Sequence, residues 1–188
     1  MASKEYGTTR MVTPGTKAFA LRRSDFNVSV NGNNINRKRS YFSETGGGYL
    51  LYDKERKFNQ FEYEAAKHLA DSGYVVQMTP ERGAMYVTAH YKGKDKFSDG
   101  KIFGVTYEQK TPKPEGNNFD KNVEKAIEHA KSKGSRTALI YDAHDYLHRY
   151  NIQRGMESYM EHNKKSGHNT VEGVIVVSHA GKVYEWSF

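Results

Sequence analysis

From about residue 58 onward, this sequence alternates helical patterns with short runs of strand-forming residues. Apolar spacing and glycine stops predict helices over residues 61–72 and 120–133, and a third helix is predicted over 147–162. β-Branched and aromatic runs predict strands over residues 49–52, 74–78, 84–91, 101–110, 138–141, 174–177 and 183–186. Counted from the first of these helices, the order is αβββαβαββ. Helices at these intervals predict an α/β (mixed α+β) fold, in which a central mixed sheet is flanked by helices.

Length and composition limit the class of protein. A chain of 188 residues fits one domain with a sizeable core. It contains no apolar run near the roughly 20 residues of a membrane span, and its first residues lack the apolar core of a signal peptide. It has no cysteine, which excludes disulfides and thiolate metal sites within the chain.

The basic excess lies in the N-terminal third of the chain. Residues 1–57 hold 11 Lys and Arg against 5 Asp and Glu, whereas residues 58–188 hold 18 against 17. The densest points are Arg22-Arg23 and the run 37–39. Such a segment can follow a phosphate backbone, although a solvated basic tail explains the same charges.

This shift divides the chain into two predicted parts. Residues 1–44 are predicted to form a basic, partly disordered N-terminal arm, and residues 45–188 the folded domain. Within the arm, residues 28–35 contain Asn-Gly and are predicted to form a short strand and turn.

The strongest candidate site combines Asp99 with Glu108 and Lys110. Side chains two apart on a strand point to the same face, so Glu108 and Lys110 can enter one site, with Asp99 at the mouth of their strand. A lone carboxylate followed by this pair is what a metal-dependent nuclease needs. The alternative is a turn next to an exposed ion pair worth at most about 1 kcal/mol.

Four segments carry a resemblance to a known family. They are "TGGGYLLYDKERKF", "EYEAAKHLADSGYVV", "SDGKIFGVTYEQKT" and the Lys-rich helix "NVEKAIEHAKSKG". Together they resemble the PD-(D/E)XK nuclease core, and in particular the C-terminal nuclease domains of contact-dependent growth inhibition toxins and related phage-borne toxins. The resemblance covers residues 45–188. It departs from the family pattern where Ser98 stands in place of the proline before Asp99.

The resemblance implies roles for three of these residues. Asp99 and Glu108 would bind a divalent metal ion, with Mg²⁺ or Mn²⁺ favoured by the all-oxygen ligands and Zn²⁺ as an alternative. Lys110 would orient the attacking water or offset charge on the phosphate. Members of the family cut tRNA or DNA, and its toxins lean toward tRNA.

The family also has an acid on its first helix, which must be Glu62 or Glu64. Ala65, Ala66 and Leu69 follow Glu62 at helical spacing, which places Glu62 on the inward stripe and Glu64 on roughly the opposite face. We therefore predict Glu62 as the fourth catalytic residue.

Further basic and hydroxyl residues are candidates for substrate contact. These are Thr111, Arg154, Arg37, Lys38 and Arg39.

The histidines are weaker candidates. Residues 142–148 hold two Asp and two His, but the segment reads better as the start of a helix with Asp145 as its N-cap. His129 is predicted to lie on the surface of the Lys-rich helix.

Three functions stay open at this point. The first is a metal-dependent endonuclease acting as a bacterial toxin in the cytoplasm of a target cell, with an immunity protein as its partner. The second is a non-catalytic nucleic-acid-binding module on the same fold. The third is a metal-independent, barnase-like RNase that uses His, Lys and the substrate's 2′-hydroxyl.

Overall fold

A computed structural model describes residues 5–6, 10–80, 98–113, 118–164 and 169–188. Within these residues the helices are α1 (Lys17–Ser29), α2 (Gln60–Asp71), α3 (Phe119–Ser132) and α4 (Arg149–Asn163). The strands are β1 (Glu5–Tyr6), β2 (Tyr41–Phe42), β3 (Tyr49–Tyr52), β4 (Val75–Met78), β5 (Gly100–Ile102), β6 (Val105–Lys110), β7 (Thr137–Asp142), β8 (Gly173–Ser178) and β9 (Val183–Ser187).

The nine described strands form one mixed sheet in the order β1-β9-β8-β7-β6-β5-β4-β3-β2. Strands β6, β7 and β8 are parallel neighbours at its centre, as are β3 and β4 nearer one edge. The hairpins β4-β5-β6 and β8-β9 are antiparallel. The mixed α/β class predicted from the sequence is confirmed.

Helices cover both faces of this sheet. Leu139 of β7 packs in one core cluster with Leu69 of α2. Its neighbour Ile140 packs in a second cluster with Ile127 of α3 and Met156 of α4. Consecutive strand residues point to opposite faces, so the sheet is sandwiched between α2 on one side and α3 with α4 on the other.

Helix α1 corrects the prediction for residues 28–35. The chain there finishes a helix that begins after the N-cap Thr16, and the predicted strand is absent. Phe19 and Phe26 lie two turns apart on α1, and both rings contact Phe42. This aromatic cluster explains the helix, and Asn31 and Gly32 form the predicted turn directly after it.

Most of the other predicted helices and strands can be compared with the observed ones. The three helices and the strands at 49–52, 74–78, 138–141, 174–177 and 183–186 are confirmed within one or two residues. The single strand predicted over 101–110 is wrong, because Phe103 and Gly104 form a two-residue turn with positive φ (47° and 79°). The strand predicted over 84–91 lies outside the described residues. The segment predicted as one strand therefore forms two described strands, β5 and β6.

Membrane insertion has no candidate helix here. None of the helices in the described ranges combines the length and the apolar character needed to cross a bilayer.

Candidate functional site

Asp99 and Glu108 are neighbours at the end of the β5–β6 hairpin. The main-chain N–H of Asp99 donates to the carbonyl of Tyr107 (3.0 Å), and its carboxylate Oδ2 accepts from the main-chain N–H of Gln109 (2.7 Å). Glu108 lies between those two residues. Both acids are buried, at 5% and 6% exposure, and buried carboxylates require charged or hydrogen-bonding partners.

Glu108 finds its partners on α3. Its Oε1 lies 2.8 Å from Nε2 of His129 and 4.0 Å from Nζ of Lys133. His129 and Lys133 are one helical turn apart and so lie on the same face. His129 was predicted to lie on the surface of the Lys-rich helix. Its ring is only half-exposed and contacts a candidate catalytic acid, so the prediction missed its place in the site.

The surroundings of His129 disfavour its charged form. Burial lowers the pKa of His129, and the nearby Lys110 and Lys133 lower it further, while Asp99 acts in the opposite direction. An ionised carboxylate only accepts hydrogen bonds, so a neutral imidazole must meet it with its N–H. The hydrogen bond therefore assigns the ring proton to Nε2.

Lys110 lies on the same sheet face as Glu108, as the i, i+2 spacing predicts. Glu108 pairs with Ala138 and Lys110 with Ile140 on β7, and both partners pack in the α3–α4 core cluster. Lys110 ends its strand in an exposed position. The hairpin end thus brings Asp99, Glu108 and Lys110 together, with His129 added from α3.

Arg56 is the residue that sequence reasoning missed. It lies in the loop before α2, is 4% exposed, and places Nη2 2.6 Å from Oε2 of Glu62 and 3.5 Å from Oδ1 of Asp99. Its Nη1 donates to the carbonyls of Thr79 and Asp99, both at 2.6 Å. Arg56 therefore ties the residue after β4 to the residue before β5. It falls inside the "DKERKF" segment, but loop residues give no periodic signal.

Glu62 lies on the inward side of α2, as predicted, where Arg56 holds it. Glu64 is not turned away from the protein, because the hydroxyl of Tyr141 donates to its Oε2 (3.0 Å). The hydrogen bond from Gln60 is the first cause that lowers the pKa of Glu64, and burial opposes it. Helical geometry alone predicted that Glu64 faces away from the sheet. The prediction is wrong because the long side chain of Tyr141, on β7, extends to Glu64.

Gln109 connects this site to α2. Its Nε2 donates to the carbonyl of Phe61 (3.2 Å). Its Oε1 is buried and has no hydrogen-bond partner within the part of the chain that the structure describes, and the same holds for Nε of Arg56. Unsatisfied buried polar atoms are uncommon and are often found at functional sites.

Two predicted substrate-binding residues, Thr111 and Arg154, lie in different parts of the structure. Thr111 is half-buried directly after Lys110. Arg154 is exposed on α4, where its Nε lies 4.0 Å from Asp120 and its guanidinium lies over the ring of Tyr150. The contacts of Arg154 therefore tie it to α3 and α4, away from the hairpin end.

The basic run 37–39 lies in the loop between α1 and β2. Arg37 and Lys38 are exposed. Arg39 is half-buried, with its guanidinium over the rings of Tyr52 and Phe58, at 5.3 Å and 4.6 Å from their centroids. Arg37 and Lys38 are open to a ligand, whereas Arg39 mainly packs on aromatic side chains.

The loop after β7 corrects the predicted start of α4. Its N-cap is His148, and Asn151 accepts from the main-chain N–H of that residue (3.0 Å). Asp145, the predicted N-cap, has φ of +55° and accepts instead from the main-chain N–H of His179. Buried Asp142 organises the turn, because its two oxygens accept from the main-chain N–H groups of the fourth and fifth residues after it.

The donor set can be compared with the needs of a metal ion. Within the described ranges, no three His, Asp or Glu side chains group closely enough to hold one. Mg²⁺ is usually held by one or two carboxylates, and water and substrate phosphates complete its shell. Asp99 and Glu108 are two buried acids from hydrogen-bonded chain segments, and they supply that number of carboxylates.

Comparisons with known proteins bear on the fold. No protein-family model matches the sequence, and no curated protein matches it. A solved structure is similar: a chain of the CdiA-CT/CdiI toxin and immunity complex from Burkholderia pseudomallei, at a TM-score of 0.52 and 17% identity, over 74% of this chain and 98% of that chain. The two chains share a fold. At this identity, the likeness extends to the fold alone.

Proposed function

We propose that this chain is the nuclease domain of a bacterial toxin and hydrolyses phosphodiester bonds with the help of a divalent metal ion. The observation that carries the proposal is the hairpin end where Asp99 and Glu108 are buried neighbours and Lys110 shares the face of Glu108. Two carboxylates beside an ammonium group suit phosphate chemistry, in which negative charge accumulates on the transferring phosphate.

The residues would divide the work as follows. Asp99 and Glu108 would hold the ion, with Mg²⁺ or Mn²⁺ favoured by the all-oxygen ligands and Zn²⁺ as the alternative. When bound, such an ion activates water and stabilises charge on phosphate oxygens. Lys110 offsets charge on the phosphate. Glu62 acts through Arg56, whose guanidinium holds both the main chain and the side chain of Asp99 in place.

The toxin assignment is supported by the fold shared with a chain of a toxin and immunity complex. On this proposal the domain acts in the cytoplasm of a target bacterium, and a cognate immunity protein protects the producing cell. The family resemblance favours tRNA over DNA as the substrate. The exposed residues Arg37 and Lys38 would add sequence-independent affinity for the phosphate backbone.

The direct test is incubation of the purified protein with total tRNA and with plasmid DNA, each with Mg²⁺, Mn²⁺, Zn²⁺ or EDTA. We expect cutting with Mg²⁺ or Mn²⁺ and none with EDTA. Asp99→Asn and Glu108→Gln should both abolish cutting while the far-UV circular dichroism stays unchanged. Cutting that persists in EDTA contradicts the proposal, and so does full activity of both variants.

A second candidate is a metal-independent RNase, and one specific observation favours it. Glu108 and His129 form a hydrogen-bonded pair with Lys110 and Lys133 close by, an arrangement suited to proton transfer to and from a 2′-hydroxyl. This mechanism predicts RNA cutting that survives EDTA and leaves a 2′,3′-cyclic phosphate. End-group analysis of the products separates the two mechanisms. Binding without any cutting would point to the non-catalytic module.

A further inference from the structure

Four aromatic rings form a continuous line beside the candidate site. Phe61 contacts His144 (6.4 Å between ring centroids), His144 contacts Tyr146 (5.6 Å), and Tyr146 stacks on Phe119 (5.8 Å, 7° between ring planes). We call these four residues the aromatic row. Three separate elements supply them: the start of α2, the loop after β7 and the start of α3.

The aromatic row is connected to the hairpin end by hydrogen bonds. Gln109 donates from its main chain to Asp99 and from its side chain to the carbonyl of Phe61. Strands β6 and β7 are parallel, so Lys110 at the end of β6 and the loop after β7 lie at the same edge of the sheet. Ligands of open α/β sheets bind outside this carboxyl edge.

The loop that carries His144 and Tyr146 is held rigidly. Asp142 is 4% exposed and binds two main-chain N–H groups of the loop, including that of Tyr146. Asp145 binds the main-chain N–H of His179. The two rings are therefore fixed before any ligand arrives, which reduces the entropy lost on binding.

The row also presents aromatic surface to solvent. Phe61 is 42% exposed although it lies on the helix that packs against the sheet, and His144 is exposed as well. Stacking between protein rings accounts for Tyr146 and Phe119, which are half-buried. Ring stacking within the protein does not explain why Phe61 and His144 are exposed to solvent.

Building on the nuclease function proposed above, we propose that the aromatic row stacks the bases of unpaired nucleotides next to the phosphate to be cut. The substrate class is then single-stranded nucleic acid or a loop, since bases within a duplex do not offer their faces. The exposed lysines Lys110 and Lys113, at and just after the end of β6, supply backbone charge beside the rings.

Binding measured in EDTA tests this without cutting. A labelled 12-nucleotide single strand and a blunt duplex of the same sequence are titrated with the wild type and with Phe61→Leu, which keeps apolar bulk but removes the ring. The variant should bind the single strand roughly 5- to 150-fold more weakly, the range expected for loss of one stacked base. Phe61→Tyr should restore binding, and the duplex should bind more weakly than the single strand to the wild type.

Tyr150→Leu is the matched control. Tyr150 is 61% exposed on α4, contacts Arg154 and lies outside the row, so its loss should leave the affinity unchanged. Equal affinity of wild type and Phe61→Leu for the single strand overturns the proposal. An equal loss in Tyr150→Leu overturns it too, because the effect would then not belong to the row.

Fluorescence provides an independent reading. The chain has one tryptophan, Trp186, which is 3% exposed, so Phe61→Trp adds a reporter on the row. Stacking predicts quenching of this added emission by the single strand, and unchanged emission contradicts it. Quenching without metal-dependent cutting would refute the nuclease proposal alone, whereas cutting without quenching or loss of affinity would refute only the stacking.

Discussion

The two sides of the candidate site are held by cations of different kinds. On the α2 side, the permanent cation Arg56 binds Glu62 and Asp99 and is itself 4% exposed. On the α3 side, the half-exposed His129 binds Glu108. Both sides flank the same hairpin end. Arg56 is buried and permanently charged, whereas His129 is partly exposed and can gain or lose a proton.

This contrast assigns different work to the two sides. Burial lowers the pKa of Arg56, but Tyr107, Glu62 and Asp99 raise it by more, so the net shift is upward and the charge is permanent. The surroundings of His129 shift its pKa downward. The Arg56 guanidinium therefore keeps its charge over the pH range in which the charge of His129 changes.

The largest expected effect is on stability and comes from the Arg56 side. Arg56→Met leaves two carboxylates without their cation and should lower the free energy of unfolding by about 3–5 kcal/mol in urea titration. Arg136→Met is the matched control: Arg136 pairs with Glu172 at the surface, and its loss should cost about 0–1 kcal/mol. An equal loss of unfolding free energy in the two variants would show that the buried ion pair contributes no more than the exposed one.

The next effect is on catalysis at the shared centre. Lys110→Met should reduce the rate of cutting by roughly 10²–10³-fold with an unchanged unfolding curve, because a preorganised charge acts mainly in the transition state. Lys182→Met, at an exposed lysine in the β8–β9 turn, should cut at the wild-type rate. A Lys110 variant with wild-type activity would remove this residue from the proposed mechanism.

On the His129 side, loss of the ring should act through Glu108. His129→Ala should lower metal-dependent activity by about 10–100-fold, as is typical for a residue that orients a metal-binding group. His129→Gln keeps an N–H donor and should retain more activity than the alanine variant. If the alternative RNase mechanism holds, both variants should be equally inactive, because glutamine cannot transfer protons.

Stability should depend on pH through His129. An ordinary histidine in the unfolded chain titrates near 6.5, and the pKa of His129 in the folded protein is lower because of burial, Lys110 and Lys133. Its contribution is therefore complete above about pH 6.5 and is lost as the pH falls from there toward the lowered pKa. Unfolding measured between pH 7.5 and 5 should show a larger loss in the wild type than in His129→Gln. The same loss in both would contradict the lowered pKa.

The smallest effect concerns Lys133, which is partly exposed and lies 4.0 Å from Glu108. Lys133→Ala should raise the pKa of His129, as followed by the NMR shifts of its ring protons, because a neighbouring positive charge is removed. The difference should shrink at high salt, since screening weakens exposed charges. An unchanged or lowered pKa would show that Lys133 does not act on the ring, which would leave burial and Lys110 as the causes.

Much of the fold could be predicted from the sequence, because most helices and strands have local sequence patterns. Helices α2 and α3 show apolar spacing with glycine stops, and β7 and β8 are continuous apolar runs. Helix α1 lacks such a signal. Its apolar residues are not confined to one face, since Leu21 and Val28 are exposed, and contact with a distant aromatic cluster stabilises the helix.

The candidate site was readable in part for a similar reason. The shared face of Glu108 and Lys110 follows from strand geometry, which fixes side-chain direction by position alone. Arg56 and His129 joined the site from a loop and from another helix, 43 residues before Asp99 and 21 residues after Glu108. No spacing rule links positions so far apart in the chain.

The sequence by itself determined most of the helices and strands and the shared face of Glu108 and Lys110 at the end of β6. These depend on period and local stop signals, which neighbouring residues define. Only the tertiary structure decided which cation meets which carboxylate: Arg56 with Glu62 and Asp99, and His129 with Glu108. Pairings of this kind depend on how the packed layers bring remote segments together, and burial then makes each pairing obligatory.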